Sequence, residues 1–495
     1  MNWQSLIVFI ALFLLVLVIG VYAARWRKGD LTHLDEWGLG GRRFGTAIAW
    51  FLIGSDLYTA YTLVAVPALV FGKGALGLFA LPYTIIVYPL MLLVMPKLWQ
   101  VAKERGHITA SDYVKDRFDS RTLALLVAIT GIVALIPYIA LQMYGIEIVV
   151  AFLGVSPTGA LIIAFIILAI FTYISGLRGP ALISLVKDVL IYSAFIAAIV
   201  YIPIKLGGYG ALFAHIKPSK LILPSHEYAA YSSLFFGSAL ALFLYPHAVT
   251  AVFSTRSRKV VKTNMSILPA YTFLLGLIAL MGFMAIALGL KASGAFGANG
   301  VVPELFLKMF PAPFVGYAFA AIGIGALVPA SIMGIAAGNL FSRNIYQEFF
   351  RRSASRIEGT RVAKVVALLV IILALVFILG APTKFVINFQ LAGGAWMLQI
   401  LPALFLALFI PWLDKRAVIA GWAVGIGWGT YQLVLEKFAT SLHSLGFLGG
   451  LTMYIGLSAL IANLIVVFLG TGLLRLVARQ PAHPLASDRS DPRPI

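Results

Sequence analysis

Apolar stretches of about 20 residues recur along almost the whole chain and are separated by short polar segments. Because about 20 apolar helical residues cross the ~30 Å hydrocarbon core of a bilayer, each stretch predicts a membrane-spanning helix. The first stretch has no basic residue before it and no clear cleavage site after it, so we interpret it as a retained helix. We predict thirteen spans, at residues 4–24, 44–71, 75–98, 120–152, 157–176, 180–204, 232–253, 265–290, 313–342, 362–381, 385–412, 416–436 and 447–475.

Composition supports lipid as the solvent of this chain. Of its 495 residues, 61% are hydrophobic and only 11% are charged, whereas charged residues approach a quarter of a soluble domain. We therefore predict an all-α polytopic membrane protein. The absence of cysteine excludes disulfides, iron–sulfur clusters and thiol chemistry.

The basic residues predict the orientation. The formal net charge is +19, which could suggest nucleic-acid binding, but most Lys and Arg lie in alternate connecting segments. Such segments face the cytoplasm, where anionic lipid headgroups attract them. We predict a multi-pass protein of the cell (cytoplasmic) membrane with its N-terminus outside and its C-terminus cytoplasmic, and no nucleic-acid partner. The polar tail 476–495 is typical of a disordered segment.

Two predicted spans carry helix-breaking sequences near their centres. The second span contains Gly54, Ser55 and Asp56, and the seventh contains Pro246 and His247. Interrupted helices in corresponding positions are typical of transporters built from inverted repeats, with the binding site at the bilayer midplane. The predicted organisation is 1–43 (first helix and cytoplasmic loop), 44–204 (first repeat), 205–231 (external loop), 232–412 (second repeat), 413–475 (two further helices) and 476–495 (tail). The loop 205–231 could be a short amphipathic segment over the outer opening or a plain connector.

Four ionisable side chains lie well inside predicted spans, where each costs about 2.5–3.5 kcal/mol on insertion scales. Asp56 adjoins the interruption of the second span and could contact an ion or a solute; alternatively it only caps a half-helix. Lys187 and Asp188 are adjacent in an apolar helix. Burial would favour loss of the lysine proton, which makes Lys187 a candidate proton carrier. The alternative is a structural ion pair with Lys187 reaching the headgroups.

His247 follows a proline and could relay protons or donate a hydrogen bond to a substrate, although a histidine satisfied by a backbone carbonyl is more common. Amides inside spans, such as Gln142, usually serve hydrogen bonding between helices. No HExxH, GxSxG or GxxxxGK pattern occurs, which disfavours an embedded enzyme. We predict no cofactor and no confident metal site.

Four motifs stand out along the chain: Gly38–Gly45 (GLGGRRFG), Ser55-Asp56 in the second span, Pro137–Gln142 (PYIALQ) and Leu340–Tyr346 (LFSRNIY). Together they resemble the sodium:solute symporter family. The segment Ser175–Asp188 is closest to that of the bacterial monocarboxylate permeases. The resemblance covers nearly the whole chain and implies a leucine-transporter-type core of 5+5 inverted-repeat helices with alternating access.

The resemblance also implies a function, a symporter that imports short monocarboxylates of the lactate, pyruvate or acetate type across the lipid bilayer with a coupling cation, H⁺ or Na⁺. The alternatives are a Na⁺-coupled symporter of an amino acid or sugar, and a sensor, since this fold also occurs fused to signalling domains. The tail 476–495 supplies no output module. The candidate substrate-binding residues are Ser55, Asp56, Tyr58, Thr59, Gln142 and His247.

At the positions that correspond to the family's sodium site, this sequence departs from the family pattern. The resemblance assigns it the carbonyls of Gly54 and Leu57 and two hydroxyl residues, but the latter positions carry Val328 and Pro329. The residue before the family's aspartate, Asp188, is commonly threonine and is Lys187 here. In a related transporter group a lysine on that helix replaces the sodium ion and carries the proton. The candidate coupling-ion residues are therefore Gly54, Leu57, Lys187 and Asp188, with Lys187 favouring H⁺.

Overall fold

The computed structural model describes residues 2–26, 29–292, 294–380 and 386–478 as an almost entirely helical bundle. Within these ranges eleven helices are long and apolar enough to cross a membrane, or twelve if one bent pair counts as a single span. The predicted fold class is confirmed, whereas the count of thirteen is not. Most of the predicted tail 476–495 lies outside the described residues.

The helices of the first half are α1 (Trp3–Ala23), α2 (Leu34–Leu39), α3 (Thr46–Gly54), α4 (Val66–Lys73), α5 (Ala80–Glu104), α6 (Ala110–Phe118), α7 (Arg121–Phe152), α8 (Pro157–Ser175), α9 (Arg178–Lys205), α10 (Tyr209–Ala214) and α11 (Pro218–Leu221). Those of the second half are α12 (Tyr228–Leu242), α13 (Pro246–Phe253), α14 (Arg258–Tyr271), α15 (Phe273–Ala279), α16 (Met281–Ala287), α17 (Val301–Met309), α18 (Ala312–Leu340), α19 (Arg356–Gly380), α20 (Val386–Met397), α21 (Leu401–Leu404), α22 (Lys415–Leu435) and α23 (Ile455–Ala478). Strands β1 (Leu442–Leu445) and β2 (Leu451–Tyr454) form an antiparallel hairpin.

The first helix break lies where the sequence predicts it. Helix α3 ends at Gly54, and a π-helical turn, Tyr61–Ala65, leads into α4. Side chains satisfy backbone groups that the break releases. The Thr62 hydroxyl donates to the Leu57 carbonyl, and the Gln142 side-chain oxygen accepts from the backbone N–H of Ala60 at 3.0 Å.

The second break separates α12 from α13. Helix α12 ends at Leu242 and α13 begins at Pro246, with a bend of 47° between the two helical segments. Proline fits the first helical position because its missing N–H would have no intrahelical acceptor there. This confirms the predicted interruption of the seventh span.

Helix α18 forms the centre of the bundle. Its apolar window is entirely buried, and it packs against α1, α7, α9 and α19. Small residues allow this close approach. A Cβ at Gly316 would lie 2.2 Å from the carbonyl oxygen of Ser5, and one at Gly338 would lie 2.3 Å from that of Ala363. Helix α18 thus reaches backbone contact with α1 and α19.

The predicted external loop 205–231 contains the short helices α10 and α11. The Lys220 ammonium donates to the carbonyl of Gly72, near the end of α4. This segment is therefore attached to the helix that follows the first break. The boundaries proposed for the two repeats and the remaining segments stay predictions.

Candidate functional site

Lys187 lies at the first helix break. Its ammonium nitrogen is 3.0 Å from the carbonyl oxygen of Ser55 and 3.3 Å from that of Tyr58. It is also 3.2 Å from a carboxylate oxygen of Asp188. Both charged side chains are buried, with Lys187 0% exposed. Lys187 therefore does not reach toward lipid headgroups; it binds backbone oxygens that α3 no longer uses.

The carbonyls around Lys187 differ from those predicted to bind a coupling ion. The Gly54 carbonyl accepts from the N–H of Leu57 at 2.9 Å, and the Leu57 carbonyl accepts from Thr62. The break thus turns the oxygens of Ser55 and Tyr58 toward Lys187, one residue later in each case. Local turn geometry decides this, and the residue order alone did not specify it.

The two positions on α18 that correspond to the family's hydroxyl residues carry no side-chain oxygen. Val328 and Pro329 are both buried, and neither side chain can coordinate a cation. The nearest following hydroxyl, Ser331, lies 2.7 Å from the hydroxyl of Thr172 on α8. A one-residue shift of the alignment would therefore not supply a free hydroxyl at this position.

A group of tyrosines extends from Asp188. The Tyr271 hydroxyl donates to the second carboxylate oxygen of Asp188. The Tyr271 carbonyl accepts from the hydroxyls of Tyr58 and, at 3.0 Å, Tyr192. Tyr271 was not among the predicted site residues, since a tyrosine inside a predicted apolar span carries no distinguishing signal. Its nearby Pro269, inside α14, was the only local irregularity.

A second buried polar pair joins the two helix breaks. The Nε2 atom of His247, on α13, lies 2.6 Å from a carboxylate oxygen of Asp56, which follows α3. Asp56 is 9% exposed and His247 is 1% exposed. The imidazole packs against the rings of Tyr138 and Tyr245, with centroid separations of 5.4 and 5.5 Å. The pair thus connects the predicted interruptions of the two repeats.

Two cavities adjoin the second break. The first, called here the tyrosine cavity, is lined by Tyr61, Tyr83, Tyr138, Ser238, Ala241, Leu242, Tyr245, Gln390, Leu391, Gly394 and Tyr454. The second is lined by Thr109, Ala110, Ser111, Val127, Leu244, Pro246, Val249, Thr250, Ala336, Leu340 and Ile400. The second break borders both cavities, since Tyr245 lines one and Pro246 the other.

The remaining predicted substrate-binding residues surround the first break. The Gln142 amide bonds the backbone of Ala60 and, at 3.5 Å, Tyr138, and the Thr59 hydroxyl accepts from the N–H of Tyr61. Ser55 differs, because its buried hydroxyl has no hydrogen-bond partner in the described protein. The bonds of Gln142 and Thr59 support the break itself, and their contact with a substrate stays a prediction.

The residues of this site lie in a part of the chain that is similar to a known protein family. A sequence profile of the sodium:solute symporter family matches residues 37–425, which include both breaks, Lys187 and His247. The chain belongs to the sodium:solute symporter family. The predicted family resemblance is thereby confirmed, and the coarse function follows: family members and the named relatives are transporters.

Two relatives cover nearly the whole of this family member. It is 50% identical over 483 residues to a monocarboxylate transport permease protein of Rhizobium johnstonii, covering 96% of this chain and 97% of the relative. It is 34% identical over 458 residues to the uncharacterized symporter YodF of Bacillus subtilis, covering 90% and 91%.

A solved structure confirms the fold of this symporter. A substrate-bound, outward-open Na⁺-coupled sialic acid symporter superimposes with a TM-score of 0.77 at 17% sequence identity, covering 97% of this chain and 99% of that one. The predicted leucine-transporter-type fold is therefore confirmed. At this identity the similarity carries the fold alone.

Proposed function

We propose that this protein is a secondary active symporter that imports short monocarboxylates, of the lactate, pyruvate or acetate type, together with a proton. The substrate class is supported by the 50% identical relative named as a monocarboxylate permease. The proposed location is the cell membrane, with the N-terminus outside and the C-terminus cytoplasmic.

The observation that carries proton coupling is the position of Lys187. Unwound carbonyls and carboxylates are the oxygens that coordinate transported Na⁺ in interrupted transporter helices. Here the Lys187 ammonium contacts two such carbonyls and Asp188, and Val328 and Pro329 add no oxygen. A tethered cation at this point replaces a dissociable one, and it can exchange only its proton.

Coupling also follows from charge balance. A carboxylate that enters a buried, low-dielectric site needs a compensating positive charge, because an unpaired buried charge costs several kcal/mol. If the proton binds Lys187 when the anion binds, the total buried charge stays constant. Release of both on the other side returns the carrier to its starting charge.

The test is uptake into proteoliposomes in which proton and sodium gradients are set independently. Radiolabelled pyruvate is a suitable substrate, because its acidic carboxyl limits passive diffusion of the neutral acid. We expect accumulation driven by an inward proton gradient without sodium, and none in protein-free liposomes. Strict dependence on sodium would contradict proton coupling.

The second candidate is a Na⁺-coupled symporter of an amino acid or sugar, and the family's name favours its sodium coupling. A panel of labelled acids, amino acids and sugars, each measured under both gradients, separates the two candidates. Uptake of an amino acid or sugar in preference to every short acid would favour the second.

A further inference from the structure

The two nitrogens of the His247 imidazole have different surroundings. Nε2 lies 2.6 Å from the Asp56 carboxylate, and the two groups are a potential ion pair. A carboxylate only accepts hydrogen bonds, so Nε2 carries the proton of this bond. Nδ1 is buried and has no hydrogen-bond partner in the described protein. Because buried polar nitrogens are rarely left unpaired, this atom calls for a partner from outside the protein.

The position of His247 favours an anionic partner. It is the second residue of α13, whose first backbone N–H groups have no intrahelical acceptors and whose dipole is positive at this end. The ring also packs against Tyr138 and Tyr245, which both line the tyrosine cavity. The two aromatic side chains that contact the imidazole thus also line a cavity beside the second break.

From this geometry we infer that His247 is the receptor for the substrate's carboxylate. The imidazolium donates through Nε2 to Asp56 and through Nδ1 to the carboxylate, while Asp56 fixes the ring and balances its charge. This inference rests on the proposed function, since it assumes a carboxylate substrate. Lys187 keeps its separate role as the carrier of the coupling proton.

The groups that face this pair come from several elements. Asp56 follows α3, and Tyr138 belongs to α7. Tyr245 is the residue immediately before α13, the helix that contains His247. On α5, Tyr83 and Tyr88 also interact electrostatically with Asp56. The tyrosines are neutral at physiological pH, and Lys187 on α9 is a charged group that interacts electrostatically with Asp56.

Two amide substitutions separate the imidazole nitrogens. Glutamine places its amide nitrogen near the position of Nε2, and asparagine places it near that of Nδ1. His247→Gln thus keeps a donor for Asp56 and loses the donor for the substrate, whereas His247→Asn does the reverse. We expect His247→Gln to raise the KM for pyruvate at least tenfold, with a smaller rise in His247→Asn. His226→Gln, at an exposed histidine, is the matched control and should leave KM unchanged.

A KM unchanged in His247→Gln with a reduced maximal rate would overturn the inference, because His247 would then affect only the conformational change. If the variant cannot be purified as a folded protein, inhibition of the wild type decides the question. Lactate should inhibit pyruvate uptake at least tenfold more strongly than lactamide, its neutral amide; equal inhibition would overturn the carboxylate receptor. Failure of the wild type to take up any short acid would instead contradict the proposed function itself.

Discussion

The side-chain nitrogen of Lys187 lies 3.0 Å from the carbonyl oxygen of Ser55, just after the end of α3. The Tyr58 carbonyl and Asp188 provide further oxygens around the same ammonium. An ammonium that is covalently attached to α9 therefore occupies a pocket of oxygens formed by a broken helix. A cation of this kind cannot leave with the substrate, so it can release only its proton.

Replacement of Lys187 by arginine tests whether this residue releases a proton. Arginine keeps the positive charge but is not deprotonated in proteins. We expect Lys187→Arg to reduce accumulation driven by a proton gradient at least tenfold. Exchange of internal for external labelled substrate should persist, because it needs no deprotonation, and this exchange also reports that the variant is folded. Accumulation at the wild-type level would show that Lys187 is a fixed cation.

Removal of the Tyr271 hydroxyl tests its bond to Asp188. Tyr271→Phe leaves the ring in place and deprives a buried carboxylate of one donor. We expect a loss of about 1.5–3 kcal/mol, the usual range for hydrogen bonds to charged groups. The control is Tyr192→Phe, which removes a donor to a neutral carbonyl and should cost about 1 kcal/mol or less. Thermal unfolding in detergent measures both, and equal melting temperatures would contradict the prediction.

Gly54 admits the ring of Tyr271 at the first break. A Cβ at this position would lie 2.7 Å from the nearest ring carbon, so Gly54→Ala must displace the ring or α3. Overpacking of this kind typically costs about 1–3 kcal/mol. Gly72→Ala on α4 is the control, since a Cβ there meets nothing within 4 Å. We expect only Gly54→Ala to lower the melting temperature and the transport rate.

The predicted orientation can be read directly by cysteine labelling, because the chain contains no cysteine. Lys308→Cys lies on the predicted external side and Ser353→Cys on the cytoplasmic side, and both positions are exposed. A membrane-impermeant maleimide should label the first in intact cells and the second only after permeabilisation. The reverse pattern would contradict an external N-terminus.

Outside the spanning helices, a hydrogen bond from His107 lowers the pKa of the Asp116 carboxyl, with Arg105 and Lys115 adding favourable charge. A carboxyl whose pKa is lower in the folded state stabilises the protein above its unfolded pKa of about 4 and loses this contribution as the pH falls through the folded value. We expect Asp116→Asn to cost at most about 1 kcal/mol at pH 7, because the side chain is 40% exposed.

Melting curves measured in steps from pH 7 to pH 3 check this prediction. The difference between Asp116→Asn and the wild type should shrink toward acid pH. Asp119→Asn, at an exposed position just beyond α6, is the control and should show no such trend. A constant difference across the range would assign the effect to packing.

The sequence alone determined the solvent, the helical class and the places where helices break. Lipid provides no hydrogen-bond partners, so long apolar stretches must be helices. Gly54 and Pro246 indicate the interruptions, because glycine has a flexible backbone and proline has no backbone N–H. It also identified Asp56, Lys187, Asp188 and His247, because ionisable groups inside apolar stretches are expensive.

Only the tertiary structure decided which of these groups meet. Asp56 pairs with His247 across 191 positions, and Lys187 binds the carbonyls of Ser55 and Tyr58 rather than those assigned from the motif. Tyr271 joins the site from α14, where no site residue was predicted. Helix packing fixes these contacts, since the residue order sets each group's depth along its own helix but not the rotation that turns it toward a neighbour.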